Sequence, residues 1–204
     1  MTPSTKDLCG LFVRIHQGAT LTDIFQDAEP LLIQAYGVML WAHNRQARKG
    51  PSGRPYAQHP LMVCTLVRLA GGTLTQQIAA LLHDAVEDVA VNWPNTTAAD
   101  MTQAIVAQFG HEVADMVLKL TNPEGLDKDH KDDWQYAQLH ACPEIRLVKA
   151  ADKICNAYDT IVDAPAGWSA AKLQKKKQAG QLVTQTFTEL PQLLHDAGAV
   201  FAAA

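Results

Sequence analysis

The chain has 204 residues, 48% of them hydrophobic, with a formal net charge of −4. That length is enough for one well-buried domain, and the negative balance argues against a broad basic face that wraps nucleic acid. No apolar run is long enough to span a membrane, and Met1 to Gly10 lacks a charged-then-apolar leader pattern, which predicts a cytoplasmic protein. Cys9, Cys64, Cys142 and Cys155 are widely spaced with no C-x-x-C pair, the pattern of reduced, packed thiols.

Helical periodicity dominates and alternating strand patterns are scarce, which predicts an all-α protein. Residues 1–30 are expected to form an N-terminal helical extension, with Leu11, Phe12 and Ile15 at packing positions. The main domain is expected over 31–204. Leu31, Ala35, Val38 and Met39 recur at helical spacing, and Gly50-Pro51-Ser52-Gly53 then breaks the pattern. A helix over 60–70 opens on Pro60, a residue favoured at the first helical position, and closes at Gly71-Gly72. The next helix is expected to run unbroken over 75–88; it is apolar on most sides and belongs in the core. Residues 89–97, with Pro94, are expected to form a loop. Thr97 and Asp100 form an acidic capping box for a helix ending near Gly110. Further helices are expected over 112–120, around Trp134, over 143–161, after the N-cap candidate Ser169, and from Pro191.

The chemistry begins with His83-Asp84, followed by Glu87-Asp88. A helix turns about 100° per residue, so Asp84 and Asp88, or His83 and Glu87, stack one turn apart. Four ionisable groups therefore edge an otherwise apolar helix. Burying them unpaired costs several kcal/mol, on the order of a domain's whole stability. A divalent cation is the most economical partner. The same dipeptide at His195-Asp196 has no trailing acidic pair and reads as a solvated helix feature. His59, before Pro60, suits a cap or surface position as well as a ligand. Asp152, Asn156 and Asp159 share one helical stripe with Lys149 a turn earlier; a solvated face and a tertiary role both stay open.

In that order, His59, His83-Asp84, Glu87-Asp88 and Asp152 resemble the HD hydrolase superfamily. The flanking residues narrow the resemblance. Arg48-Lys49, Gly53-x-Pro55-Tyr56-x-x-His59-Pro60, Ala80-Leu81-Leu82-His83-Asp84-x-Val86-Glu87-Asp88 and Lys149-x-Ala151-Asp152-Lys153-x-x-Asn156 look like the hydrolase domain of RelA/SpoT homologues. The stand-alone small alarmone hydrolases, including the animal type, are most similar; Pro165-x-Gly167-Trp168-Ser169 also resembles that type. The similarity spans about residues 36–177 and leaves no room for the synthetase domain of the long RelA/SpoT proteins.

The resemblance implies a compact, single-domain, HD-type helical bundle. It places metal ligands at His59, His83, Asp84 and Asp152, a mixed nitrogen and oxygen set suited to Mn²⁺. It places a catalytic acidic pair at Glu87 and Asp88, with Asn156 orienting substrate or water. Substrate contacts fall on Arg48, Lys49, Lys128, Asn156, Asp159, Lys172 and Lys176. Lys172 stands where the animal type has Arg, and Lys176 where it has Tyr, so base or sugar recognition differs there. The implied reaction belongs to the stringent response: hydrolysis of the 3′-pyrophosphate of (p)ppGpp to GDP or GTP and pyrophosphate. Adenosine alarmones, another nucleotide phosphatase of the superfamily (2′-phosphate removal, for example) and a catalytically silent nucleotide-binding module remain alternatives. The expected partner is a small nucleotide, with neither nucleic acid nor membrane; homo-oligomerisation is left open.

Overall fold

A buried helix, Gln58–Leu69, runs through the middle of the molecule, and every residue from His59 to Val67 is shielded from solvent. The structure is a computed structural model that describes residues 3–127 and 130–204. In chain order its helices are α1 (Thr5–His16), α2 (Leu21–Ile24), α3 (Pro30–Ala42), α4 (Gln58–Leu69), α5 (Leu74–Leu82), α6 (Ala85–Asn92), α7 (Ala98–Phe109), α8 (His111–Leu120), α9 (Lys131–Ala141), α10 (Arg146–Val162, entered through a 3₁₀ turn at Pro143–Ile145), α11 (Ala170–Thr186) and α12 (Gln192–Ala203). There is no strand among the described residues, only one isolated antiparallel bridge, Ala47 to Pro55. The all-α expectation holds. No helix of the described residues is long and apolar enough to cross a membrane.

Polar residues set where the helices start. Ser4 with Asp7, Thr20 with Asp23, Thr73 with Gln76 and Thr97 with Asp100 form reciprocal capping boxes that satisfy otherwise unpaired N–H groups. Ser169 caps α11 through a bond from the Lys172 amide. Apolar stripes then assemble the core: α4 packs against α5 and α10, and α11 lies between α10 and α12. Gly180 lets α11 approach α10 closely, because a Cβ there would lie 2.7 Å from Ile154 Cγ1 and 3.1 Å from its backbone. Helix α1 joins the same core through Leu8, Phe12 and Ile15, with Phe12 edge-on to Tyr158 at 5.1 Å between centroids.

Two expectations are corrected. The helix expected over 75–88 is broken at His83-Asp84, where α5 ends and α6 begins. Asp84 leaves the helical line at φ −101°, ψ −6°, and becomes the N-terminal residue whose carbonyl accepts from the Asp88 amide at 3.0 Å. The residues after Asp88, expected as loop, continue α6 to Asn92, whose side chain bonds back to the Asp88 carbonyl at 3.2 Å. Periodicity cannot detect such a joint, because both helices keep an apolar face toward the same core.

The segment between α3 and α4 doubles back on itself. The Arg48 amide donates to the Arg54 carbonyl at 2.8 Å, and the Tyr56 amide to the Gln46 carbonyl at 2.9 Å. Ser52 latches its tip onto Asp163 at the end of α10, through its amide at 3.2 Å and its hydroxyl. Gly50 is required at this approach, since a Cβ there would collide with Asp163. The loop therefore carries Arg48, Lys49, Arg54 and Tyr56 over the stripe of α10 that holds Asp152, Asn156 and Asp159.

Candidate active site

His59 comes from the first turn of α4, His83 and Asp84 from the α5–α6 joint, and Asp152 from the middle of α10. One ligand atom each from His59, His83 and Asp84 lie within 4.8 Å of one another. Asp152 Oδ1 closes the group, 3.2 Å from His59 Nε2 and 3.8 Å from His83 Nε2. His83 Nε2 lies 3.1 Å from Asp84 Oδ2, yet it is buried with no correctly directed hydrogen bond. Its ring is oriented by the other nitrogen, Nδ1, which donates to the Ala80 carbonyl at 2.8 Å. That bond selects the tautomer whose Nε2 lone pair faces the cluster. Ligands held about 2.1 Å from one ion at right angles stand about 3 Å apart. The observed spacing and the orphaned nitrogen fit a divalent cation.

The electrostatics agree. Burial opposes a charge on His83, but the Asp84 and Asp152 carboxylates outweigh it and lift the imidazole to about 8. Burial also opposes ionisation of Asp84; His83 prevails and holds its carboxyl well below the usual range. Asp152 behaves likewise, with Lys149 as its main electrostatic support. His59 is pushed down, by burial first and by the Arg48 charge second, so it is a neutral nitrogen donor at neutral pH. The cluster thus concentrates negative potential around a point where positive charge is stabilised.

Glu87 and Asp88 stand on the first turn of α6. Glu87 Oε2 accepts from Asn122 Nδ2 at 2.8 Å and Oε1 from Lys131 Nζ at 3.1 Å. Asp88 Oδ2 accepts from Gln46 Nε2 at 2.8 Å. Burial and then the neighbouring Asp84 charge push the Asp88 carboxyl up. Tyr56 donates its hydroxyl to Asp84 Oδ2 at 2.5 Å, the same oxygen that faces His83 Nε2.

His59, Asp84, Asp152, Glu87, Asp88 and Tyr56 line a cleft of about 350 Å³, within the size range of small-ligand sites. Asn156 donates to Asp152 Oδ1 at 2.6 Å and accepts from Arg48 at 2.9 Å. Arg48 also pairs with Asp159 Oδ2 at 2.7 Å and lies over the Tyr56 ring. Asp159 is buried as a hub, taking His16 at 3.2 Å and Arg54 at 3.3 Å on its other oxygen. Lys49, Lys176 and Trp168 complete the walls. Lys172 sits outside them, its Nζ 4.1 Å from the Trp168 ring centroid, and Lys128 lies outside the described residues. Six cationic and six carboxylate side chains line the cleft, so a bound divalent cation leaves it net positive.

Sequence reasoning gave no role to His16, Gln46, Asn122 or Gln135, which stand outside every quoted motif. Tyr56, Lys149 and Lys153 stood within the quoted motifs and were still given no role. Lys149 and Lys153 share the helix of Asp152, and burial pulls the Lys153 ammonium down to about 8. The face of α10 that was open to a solvated interpretation is a buried wall: Lys149 is 5% exposed, and Asp152 and Asp159 are each 7% exposed.

A helical scaffold with paired histidines and carboxylates at its centre defines a class. The chain belongs to the HD domain family, which matches residues 35–190. Among curated proteins it is 34% identical over 148 residues to the guanosine-3′,5′-bis(diphosphate) 3′-pyrophosphohydrolase MESH1 of Xenopus tropicalis, covering 71% of this chain and 78% of that one. The Homo sapiens MESH1 is 33% identical over 147 residues, covering 71% and 77%. A probable guanosine-3′,5′-bis(diphosphate) 3′-pyrophosphohydrolase of Synechocystis is 31% identical over 133 residues, 62% of this chain but 16% of that longer protein. A solved metazoan ortholog of SpoT that hydrolyses ppGpp shares the fold, with a TM-score of 0.73 and 22% identity over 85% of this chain and 94% of that one.

Proposed function

We propose that this chain is a 3′-pyrophosphohydrolase of guanosine alarmones, converting (p)ppGpp to GDP or GTP and pyrophosphate with Mn²⁺ as cofactor. The observation that carries this reading is the meeting of His59, His83, Asp84 and Asp152 beside the acidic pair, in a cleft walled by cations. The MESH1 relatives, which share a third of their residues with the matched segment, supply the substrate class.

In this reading the four residues would hold the cation, which supplies Lewis acidity for activating water and offsets phosphoryl charge. Glu87 faces the attacking water and takes its proton as the new P–O bond forms at the 3′-phosphorus. The bond from that phosphorus to the ribose 3′-oxygen breaks, and pyrophosphate leaves. Asp88, whose carboxyl is pushed up, is placed to share a proton with the departing ribose oxygen. Asn156 orients the reacting phosphate, and Lys149 and Lys153 balance its charge from the same helix. Arg48, Lys49 and Lys176 sit where the 5′-phosphates and base would lie, with Asp159 anchoring Arg48. Lys172, beside Trp168, belongs to the mouth of the site.

The same reading takes residues 31–204 as the hydrolase domain and 1–30 as an extension that contributes His16 to the Asp159 hub. It places the protein in the cytoplasm, in keeping with four free cysteines, two of them buried. The test is incubation of purified protein with (p)ppGpp and (p)ppApp plus Mn²⁺, with products resolved by chromatography. Pyrophosphate and GDP or GTP support the reading. Orthophosphate release alone, turnover of only the adenosine compounds, or no turnover would replace it with one of its alternatives.

A further inference from the structure

Among the described residues Glu87 is held by Asn122 and Lys131, both outside its own helix, and the hold through Asn122 continues through the molecule. Asn122 Nδ2 donates to Glu87 Oε2 at 2.8 Å. Asn122 Oδ1 accepts from Gln135 Nε2 at 2.9 Å, and Gln135 Oε1 accepts from Lys153 Nζ at 2.7 Å. The line therefore starts on α10, one residue beyond Asp152, crosses α9 and the loop before it, and ends on α6 at Glu87.

The direction of this line is not arbitrary. An ammonium group only donates and a carboxylate only accepts. With a lysine at one end and a glutamate at the other, each amide has a single consistent orientation, carbonyl toward Lys153 and NH₂ toward Glu87. Amide orientation is otherwise ambiguous from heavy atoms alone; here the two ends decide it. Reversing Asn122 would set its carbonyl oxygen against the Glu87 carboxylate, and reversing Gln135 would set its NH₂ against the Lys153 ammonium.

We infer that Lys153, Gln135 and Asn122 are positioning residues, a directed hydrogen-bond relay that fixes the Glu87 carboxylate relative to the helix bearing Asp152. The inference rests on the reading of Glu87 as the group that faces the water. The relay ties the proton acceptor to the cation site through side chains rather than through backbone. Its rigidity sets how closely Glu87 meets the water, and an error of about 1 Å there costs roughly 100-fold in rate.

The decisive variant is Gln135→Glu, which keeps size and keeps an acceptor for Lys153 but cannot donate. Asn122 must then turn its NH₂ toward residue 135 and present its carbonyl oxygen to Glu87. The relay predicts that kcat falls about 10- to 100-fold, further than in Gln135→Met, with KM within about threefold of the parent. A packing role predicts near-parental turnover for Gln135→Glu and a larger loss for Gln135→Met. Simple repulsion of an anionic substrate predicts a raised KM with kcat retained. Either of those two outcomes overturns the relay.

A second measurement needs no turnover. In ¹⁵N–¹H spectra of the full chain, Glu87→Gln removes the charge at one end. The side-chain amide signals of Asn122 and Gln135 should then move upfield by more than that of Asn156, which is outside the relay. If the Gln135 signal moves no more than that of Asn156, the three bonds do not act together, whatever the enzyme hydrolyses. Inactivity of the parent protein on (p)ppGpp would instead remove the substrate reading and leave the relay to this spectrum.

Discussion

His83 donates from Nδ1 to the Ala80 carbonyl at 2.8 Å, and this bond decides which ring nitrogen meets the other ligands. The remaining nitrogen is buried and without a directed partner beside two carboxylates. A cation that binds only the folded cluster stabilises the protein by about 2.7 kcal/mol at 100-fold its dissociation constant. Mn²⁺ should therefore raise the melting temperature, EDTA should reverse the rise, and Asp152→Ala should abolish it while lowering the metal-free melting point. A metal-independent melting temperature in the parent would contradict the ligand set.

Glu87 bonds to Asn122 and Lys131, neither of them a proposed ligand. Glu87→Gln should leave Mn²⁺ affinity within a few-fold of the parent while kcat drops about 100- to 10,000-fold. Metal titration paired with initial rates checks both halves. A near-normal rate with metal bound would exclude this carboxylate as the proton acceptor.

Tyr56 shares Asp84 Oδ2 with the cluster through its hydroxyl. Outer groups of this kind commonly affect metal affinity by about 10- to 100-fold. Tyr56→Phe should show such a loss by calorimetric titration, with an unchanged circular dichroism spectrum. Equal affinity in the two proteins would mean that Asp84 needs no support from that side.

Asp159 is held down to about 2, from an ordinary 3.8; burial opposes this, and His16 and Arg48 outweigh it. A depressed carboxyl contributes stability that is present above its unfolded pKa and lost as pH falls through the folded one. The window is therefore about pH 4 to 2, with a contribution of roughly 2 kcal/mol. Asp159→Asn should be less stable than the parent at pH 7, and the gap should shrink as pH falls below 4. Denaturant unfolding at a series of pH values measures the gap; a constant gap would show that the Asp159 carboxyl titrates alike in the folded and unfolded chains.

Gly180 allows α11 to lie against Ile154, two residues from Asp152 on α10. An added methyl has backbone as well as side chain to meet, and overpacking of this kind costs about 1–3 kcal/mol. Gly180→Ala should lower the melting temperature by about 3–10 °C. An unchanged melting point would mean that the two helices separate without penalty.

The sequence by itself determined the helical class, most helix starts and the ionisable cluster at the α5–α6 joint. Helix starts are written in local chemistry: Thr97 with Asp100 and Ser169 with the Lys172 amide act within one turn. His83-Asp84 and Glu87-Asp88 were legible because ionisable groups stand out against an apolar helix, whereas His59 and Asp152 were picked out only by the family resemblance. Tertiary structure alone decided the break between α5 and α6, since both sides of it bury an apolar face in the same core. It also decided that the α10 stripe is a wall rather than a solvated face. That depends on the loop latched by Ser52 to Asp163, which covers it. His16, Gln46, Asn122 and Gln135 gain their importance from partners 13 to 143 positions away. Spacing along a chain records which residues share a helix face; it does not record which helices fold against one another.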